Sequence, residues 1–444
     1  MRLGQNTITA ISALILFGAT VASQTLGAIT GAALALLAAA WFPIALIPIL
    51  MFAGAYQLLT SVGPLQFGWV VVVGAFAGFM VRVILQSGRF RLDPYFVSVA
   101  LLLTFVGMIS LLLVQEGRLD RLAALIMLLI LVSYLTAVDF SDPKSAGAWS
   151  ETSLVFAVAL GAVITTLFIF AALQLDLAGT RRSSELGIGF GEYEGGSSNI
   201  SRILSYATVV LTIAGLSLRG GKVSVRLLCF GVAFLAFIGT VYTGSRMPVI
   251  ASVAAISLAI LWSQFLSGRR IRAVSVVFSI TVVGLIAVVA SVITGVETVR
   301  VPFLPDQEVS LRVASEVSID GNVRLEMWQQ YFDALTPSKV LFGGGVGSFG
   351  NPHSVFVGSF VTFGIFGVAA VIFLLTCLVF ADGKRGLAVS VPLTVYLFLA
   401  FSSSSDIDRT QFWILLAITF VLVRARGNAF RNRHVNSAWQ GSRG

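Results

Sequence analysis

Residues 353–380, HSVFVGSFVTFGIFGVAAVIFLLTCLVF, contain no Asp, Glu, Lys or Arg. A helix needs about 20 residues to cross about 30 Å of hydrocarbon, so this stretch is long enough to span a bilayer. Working outward from it, apolar runs recur at 7–23, 26–41, 43–60, 66–86, 95–114, 120–138, 153–174, 201–218, 225–242, 247–265, 272–294, 387–401 and 408–423. Soluble domains keep about 25% of their residues charged to stay hydrated. This chain has 11% charged and 57% hydrophobic residues and a mean hydropathy of +0.95. Its solvent is therefore lipid. The sequence reads as all-α: a polytopic transmembrane helical bundle of about 12–14 spans.

The net charge of +9 and a pI near 10 could suggest nucleic acid. The distribution excludes it, because there is no basic face with interleaved aromatics. The cations sit in short clusters between apolar runs: Arg2; Arg82, Arg89 and Arg91; Lys144; Arg219, Lys222 and Arg226; Arg269, Arg270 and Arg272; Lys384 and Arg385; and the tail arginines from Arg424 to Arg443. Alternate connectors are uncharged (57–66) or carry Asp406 and Asp408. The positive-inside rule then places the tail in the cytoplasm, and an even number of spans places the N-terminus there too. Val21-Ala22-Ser23 could pass for a cleavage site, but a second apolar run follows at once, so the first run reads as an uncleaved span. Cys229 and Cys377 both fall within spans, which argues against a disulfide framework or a cysteine metal site.

Four regions follow: a bundle of about eleven spans over 1–294, an outer-face segment over 295–352, the last three spans over 353–423, and a polar, mobile cytoplasmic tail over 424–444. A second long outer segment covers 175–200. Connectors of this length are usually functional or disordered. Asn322–Leu335 has Val323, Met327, Tyr331 and Leu335 at helical spacing and reads as an amphipathic helix resting on the outer leaflet or the bundle. Arg82 reads as the chief intramembrane charge, close enough to the inner end to snorkel.

Three outer-side residues could carry chemistry. Arg246, in Thr243-Gly-Ser-Arg-Met-Pro248, opens a span where Ser245 can cap and Pro248 is tolerated. It is either a snorkelling interfacial cation or a functional charge at the bundle entrance. Arg324 lies on the amphipathic segment beside Glu326 and is otherwise a solvated charge. His353 follows a glycine-rich turn, Gly343-Gly-Gly-Val-Gly-Ser-Phe-Gly350, and opens the long apolar run. A helix N-terminus favours an anion and lowers imidazole basicity, which suits a general base; the alternative is a satisfied interfacial histidine. The glycine run lacks Gly-Lys-Ser/Thr, so it is no nucleotide loop; it reads as a place where backbone approaches a bulky ligand. The sequence has no His-Glu-x-x-His, no paired cysteines and no Gly-x-Ser-x-Gly. No metal and no cofactor is expected. Arg181 and Arg182, with Glu185, Glu192 and Glu194, are either sugar-binding or solvated loop residues.

His353-Ser354, nine residues, Gly364, two residues and Gly367 resemble a pattern of the O-antigen ligase and O-antigen polymerase family: His, then Asn, Ser or Gln, nine residues, Gly-x-x-Gly. Arg324-Leu-Glu-Met-Trp328, Pro337 and the run Gly343–Phe349, including Gly345 and Gly347, resemble the family's outer loop. Gly244-Ser-Arg-Met-Pro248 resembles its serine–arginine pair opening a span. Ile250 stands where the family usually has Leu, and Ser354 where Asn is commoner. The resemblance covers 240–380. It implies a GT-C-like architecture and a metal-independent inverting glycosyltransferase of the bacterial inner (plasma) membrane, with its active site on the outer, periplasmic face. Such an enzyme moves a glycan from an undecaprenyl-diphosphate-linked oligosaccharide donor to a sugar acceptor, either a lipid-linked repeat unit (polymerase) or the lipid A core (ligase). A chain-length regulator is a further implied partner for a polymerase. Arg246 and Arg324 would hold the diphosphate, with Ser245 and Ser354 in support. His353 would take the acceptor proton. The large number of spans favours polymerase. A transporter is the rival class; carriers tend to show internal repeats and mid-membrane charges, and here the unusual residues gather at the outer surface.

Overall fold

The structure is a computed structural model. It describes residues 4–56, 61–62, 65–85, 92–114, 117–137, 150–174, 195–217, 223–242, 246–267, 298–300, 308–310, 326, 328–348, 354–381, 383–402 and 410–441. Among these, nine helices are long and apolar enough to cross a membrane, and three shorter apolar helices accompany them. The protein is an all-α, multi-pass helical bundle, as its composition requires. The expected span at 272–294 lies outside the described residues. Two short antiparallel strand pairs, Ser61–Val62 with Leu65–Gln66 and Thr298–Arg300 with Glu308–Ser310, are its only β-structure among the described residues.

Small residues set the packing of the first half. Helices α1 (Gln5–Ala22) and α2 (Gln24–Trp41) form a hairpin at Ser23, whose extended backbone and hydroxyl cap α2. Gly27 faces Thr20 across it. After a 3-10 turn at Pro43–Ala45 comes the short, wholly buried α3 (Leu46–Ala55). In α4 (Phe67–Leu85), a Cβ on Gly74 or Gly78 would overlap the backbone of Ala32 or Leu36. The two helices therefore touch backbone to backbone, the membrane solution when burial of apolar side chains supplies no net drive.

Helices α5 (Pro94–Leu113), α6 (Leu119–Thr136), α7 (Glu151–Gln174), α8 (Gly195–Ser217), α9 (Val223–Tyr242) and α10 (Arg246–Ser267) follow. A short α11 (Pro337–Phe342) precedes α12 (Val355–Phe380), α13 (Gly383–Ser402) and α14 (Thr410–Gly441). Tyr396, late in α13, donates to the carbonyl of Arg202, early in α8, at 2.6 Å. So α8 begins where α13 ends. Short connectors then make α10 and α12 begin at that same end, called upper here.

The lower end is tied by charge. Asp93 caps α5 through Tyr95 N–H at 2.9 Å and pairs with Arg424 of α14, whose guanidinium also donates to Thr136 O at 2.7 Å. Arg426 stands 3.6 Å from Glu151. Helix α14 continues through Gly441, beyond the end of the last span read from the sequence. No proline follows Thr410, and the added residues include good helix formers such as Ala and Arg.

One correction concerns Arg82. It lies near the lower end of α4, 5.6 Å from the Tyr134 ring. Among the described residues, the fully buried cation within a candidate span is Arg202, 1% exposed.

Candidate functional site at the upper end

Helix α12 is broken. Gly364 has φ 62° and ψ −151°, which splits it into Val355–Phe363 and Ile365–Phe380. A Cβ on Gly367 would overlap the carbonyl of Ser359. In a straight helix those residues stand about 12 Å apart, so the first segment folds over against the second. Its Phe356 ring lies 4.9 Å from Phe398 of α13.

The break leaves carbonyls without their next-turn donors, and buried backbone groups must be paired. Val361 O accepts from Gly344 N–H at 2.7 Å and Thr362 O from Gly345 N–H at 3.0 Å. Gly343, Gly345 and Gly347 all have φ between 73° and 91°. Added side chains there would strike Thr362, Gly117 and Arg121 respectively. Ser110 donates to Gly343 O at 3.1 Å, and Arg118 N–H to Val346 O at 2.8 Å. The glycines thus let backbone approach protein, namely α12 and the α5–α6 connector, where the sequence suggested approach to a ligand.

Ser354 is the N-cap of α12: its backbone is extended and its hydroxyl accepts from Val357 N–H at 3.4 Å. The residue before the cap is His353, which lies outside the described residues, as do Ser245, Arg324, Arg181 and Arg182. Arg246 is the first residue of α10. Helices α10 and α12 both pack against α13. Arg246 and Ser354 therefore open two helices at one end of the bundle, with a third helix between them.

The described part of the amphipathic segment is helical over 328–333. Tyr331 is buried while Phe332, partly exposed, brings its ring to 6.1 Å from Phe360 of the folded segment. Val323 and Met327 lie outside the described residues.

Two features at this end escaped sequence reading. Arg118 and Asp120 form an exposed bidentate pair at 3.2 and 2.8 Å, and that hydrogen bond raises the Arg118 guanidinium above its ordinary value. Deeper in, Arg202 donates to Asn199 Oδ1 at 3.2 Å and Gln411 Oε1 at 3.1 Å, with the Phe401 ring 5.2 Å away. The available signal was the polar series Asn199, Ser201, Arg202, Ser205 and Thr208 in an otherwise apolar span.

Geometry of this kind defines a multi-pass membrane protein in which one end of the bundle carries a broken helix, a buried cation and a helix-opening arginine. More particularly, residues 231–372 match a family model described as O-antigen ligase. The matched range includes Arg246, Arg324, His353, Gly364 and Gly367. No curated protein matches the chain. Glycan transfer of the O-antigen ligase or polymerase type is the activity supported at the family level.

Proposed function

We propose that the protein polymerises surface-polysaccharide repeat units (O-antigen or exopolysaccharide). It would transfer a glycan from an undecaprenyl-diphosphate-linked donor to the sugar hydroxyl of a second lipid-linked unit on the outer face of the inner membrane. One observation carries the reading: Arg246 and Ser354 begin helices at the same end of the bundle, inside the matched region.

A lipid diphosphate leaves with growing negative charge. Arginine supplies permanent, planar, bidentate donors suited to phosphate oxygens, and Arg246 and Arg324 take that role. The N–H groups at the opening of α12, with the positive end of its dipole, add to the stabilisation. His353 accepts the acceptor hydroxyl proton as the oxygen attacks the anomeric carbon, with inversion, and the lipid diphosphate departs. General-base assistance is typically worth about 10²–10⁴ in rate.

The test is a glycan ladder from purified protein, reconstituted with undecaprenyl-diphosphate-linked repeat units and EDTA, beside His353→Ala. Growing lipid-linked chains absent from the variant are expected. A full ladder from well-folded His353→Ala protein would remove the base from the scheme. Loss of the ladder on EDTA, restored by Mg²⁺, would overturn metal independence. The ligase reading is favoured by the description of the matching family. It predicts transfer to lipid A core in place of the ladder, so an arm with that acceptor separates the two.

A further inference from the structure

The buried arginine of α8 belongs to no step of that scheme, yet its contacts lead to it. Arg202 is 1% exposed, buried in the bundle near the start of an apolar span, where ionisable residues are costly and usually functional. Through Gln411, which itself donates to Gly54 O at 2.5 Å, it ties α8 to the opening of α14 and to α3. It is also bound to the upper end of α13 in two ways. Its carbonyl accepts from Tyr396, whose hydroxyl also lies 2.5 Å from Ser205 Oγ, and its guanidinium lies over Phe401. One turn back from Phe401, Phe398 holds Phe356 of the folded α12 segment. Ser354, the cap of that segment, directly follows His353 in the chain.

We infer that Arg202 is a positioning residue for the transfer reaction. It fixes the last turn of α13, against which the Val355–Phe363 segment rests, and so sets the opening of α12 at Ser354, the residue that follows the proposed base in the chain. The inference builds on the base role given to His353 above. The physical reason is rigidity: the planar guanidinium is hydrogen-bonded to Asn199 of its own helix and Gln411 of α14 and lies over Phe401, so it fixes the last turn of α13 against those two helices. An ammonium or a hydrocarbon chain in its place would allow α13 and the segment on it to shift. Misplacement by about 1 Å can cost about a hundredfold in rate.

The experiment uses the full-length reconstituted protein and compares Arg202→Met, Phe398→Ala, their double variant and His353→Ala. Turnover and donor KM are measured per folded molecule, with size-exclusion profiles and thermal unfolding for each. Phe398 is 49% exposed, so its truncation should leave the fold intact even if Arg202→Met does not. The expected result is a fall in kcat of about tenfold to a hundredfold in both single variants. Donor KM should stay within about twofold, and the double variant should be no worse than the poorer single one. Wild-type kcat in folded Arg202→Met or in Phe398→Ala would overturn the inference, as would a loss carried by donor KM alone. If Arg202→Met fails to fold, Arg202→Lys takes its place, with the same expected fall in kcat; wild-type kcat in folded Arg202→Lys overturns the inference equally. Wild-type turnover in His353→Ala sinks the base assignment and this inference together; an inactive His353→Ala beside a normal Phe398→Ala sinks this inference alone.

Discussion

Asp93 has a fully buried side chain, yet it lies within a membrane bundle. One oxygen caps α5 and the other meets Arg424, so a single carboxylate serves a helix end and an ion pair. Removing one member of a buried pair strands the other, at a cost of about 3–5 kcal/mol. Arg424→Ala should lower thermal stability in detergent by that order, while Arg118→Ala, whose pair with Asp120 is exposed, should leave it nearly unchanged. Equal effects would mean that burial does not govern these pairs. At this scale the sequence was readable where position carries meaning. Arg246 and His353 stand out because each precedes or opens an apolar run on the side poor in cations. Arg202 was not readable, because a charge near the start of a span looks like an interfacial residue until its partners, 209 residues away in Gln411, are known.

The decisive element is the broken helix, and it illustrates what apolar patterning leaves out. Residues 355–380 read as one continuous span because hydrophobicity reports depth, not direction. The fold-over depends on two glycines and on carbonyls rescued by a loop about twenty residues earlier. Gly364 occupies a backbone region that is essentially glycine-only and costs other residues about 1–3 kcal/mol, and a Cβ there would also overlap Leu341 O. Gly364→Ala should therefore destabilise the protein by at least about 2 kcal/mol and abolish transfer. Gly18→Ala in α1 is the control: no atom lies within 4 Å of its Cβ, and alanine there should gain about 0.5–1 kcal/mol. Unfolding temperature and turnover, measured on both, test this. A tolerated Gly364→Ala would show that the break does not need glycine. The glycine run 343–347 was visible in sequence, but its purpose was not, because its partners lie in α12 and at Gly117.

For the whole molecule, composition alone settled the class, since 11% charged residues cannot hydrate a chain of this size. Architecture inside the bundle was less legible, because helix-to-helix contacts such as α2 with α4 depend on small residues that hydropathy does not weigh. Orientation is the remaining global property, and the proposed chemistry requires one answer. The upper end, with Ser354 and the opening of α10, must face away from the cytoplasm, where lipid-linked repeat units are joined. The lower end bears Arg424 and Arg426, as the positive-inside bias demands. In a variant with Cys229 and Cys377 replaced, one new cysteine at Thr336, near the upper end, should react in intact cells with a membrane-impermeant maleimide. One at Ser437, in the continuation of α14, should react only after the membrane is opened. Trapping a charged loop on the wrong side is disfavoured by about 1 kcal/mol per cation near an anionic leaflet, so the clustered arginines of α14 should hold a single orientation. The reverse labelling pattern would put the upper end in the cytoplasm and would leave the transfer reaction without its substrate.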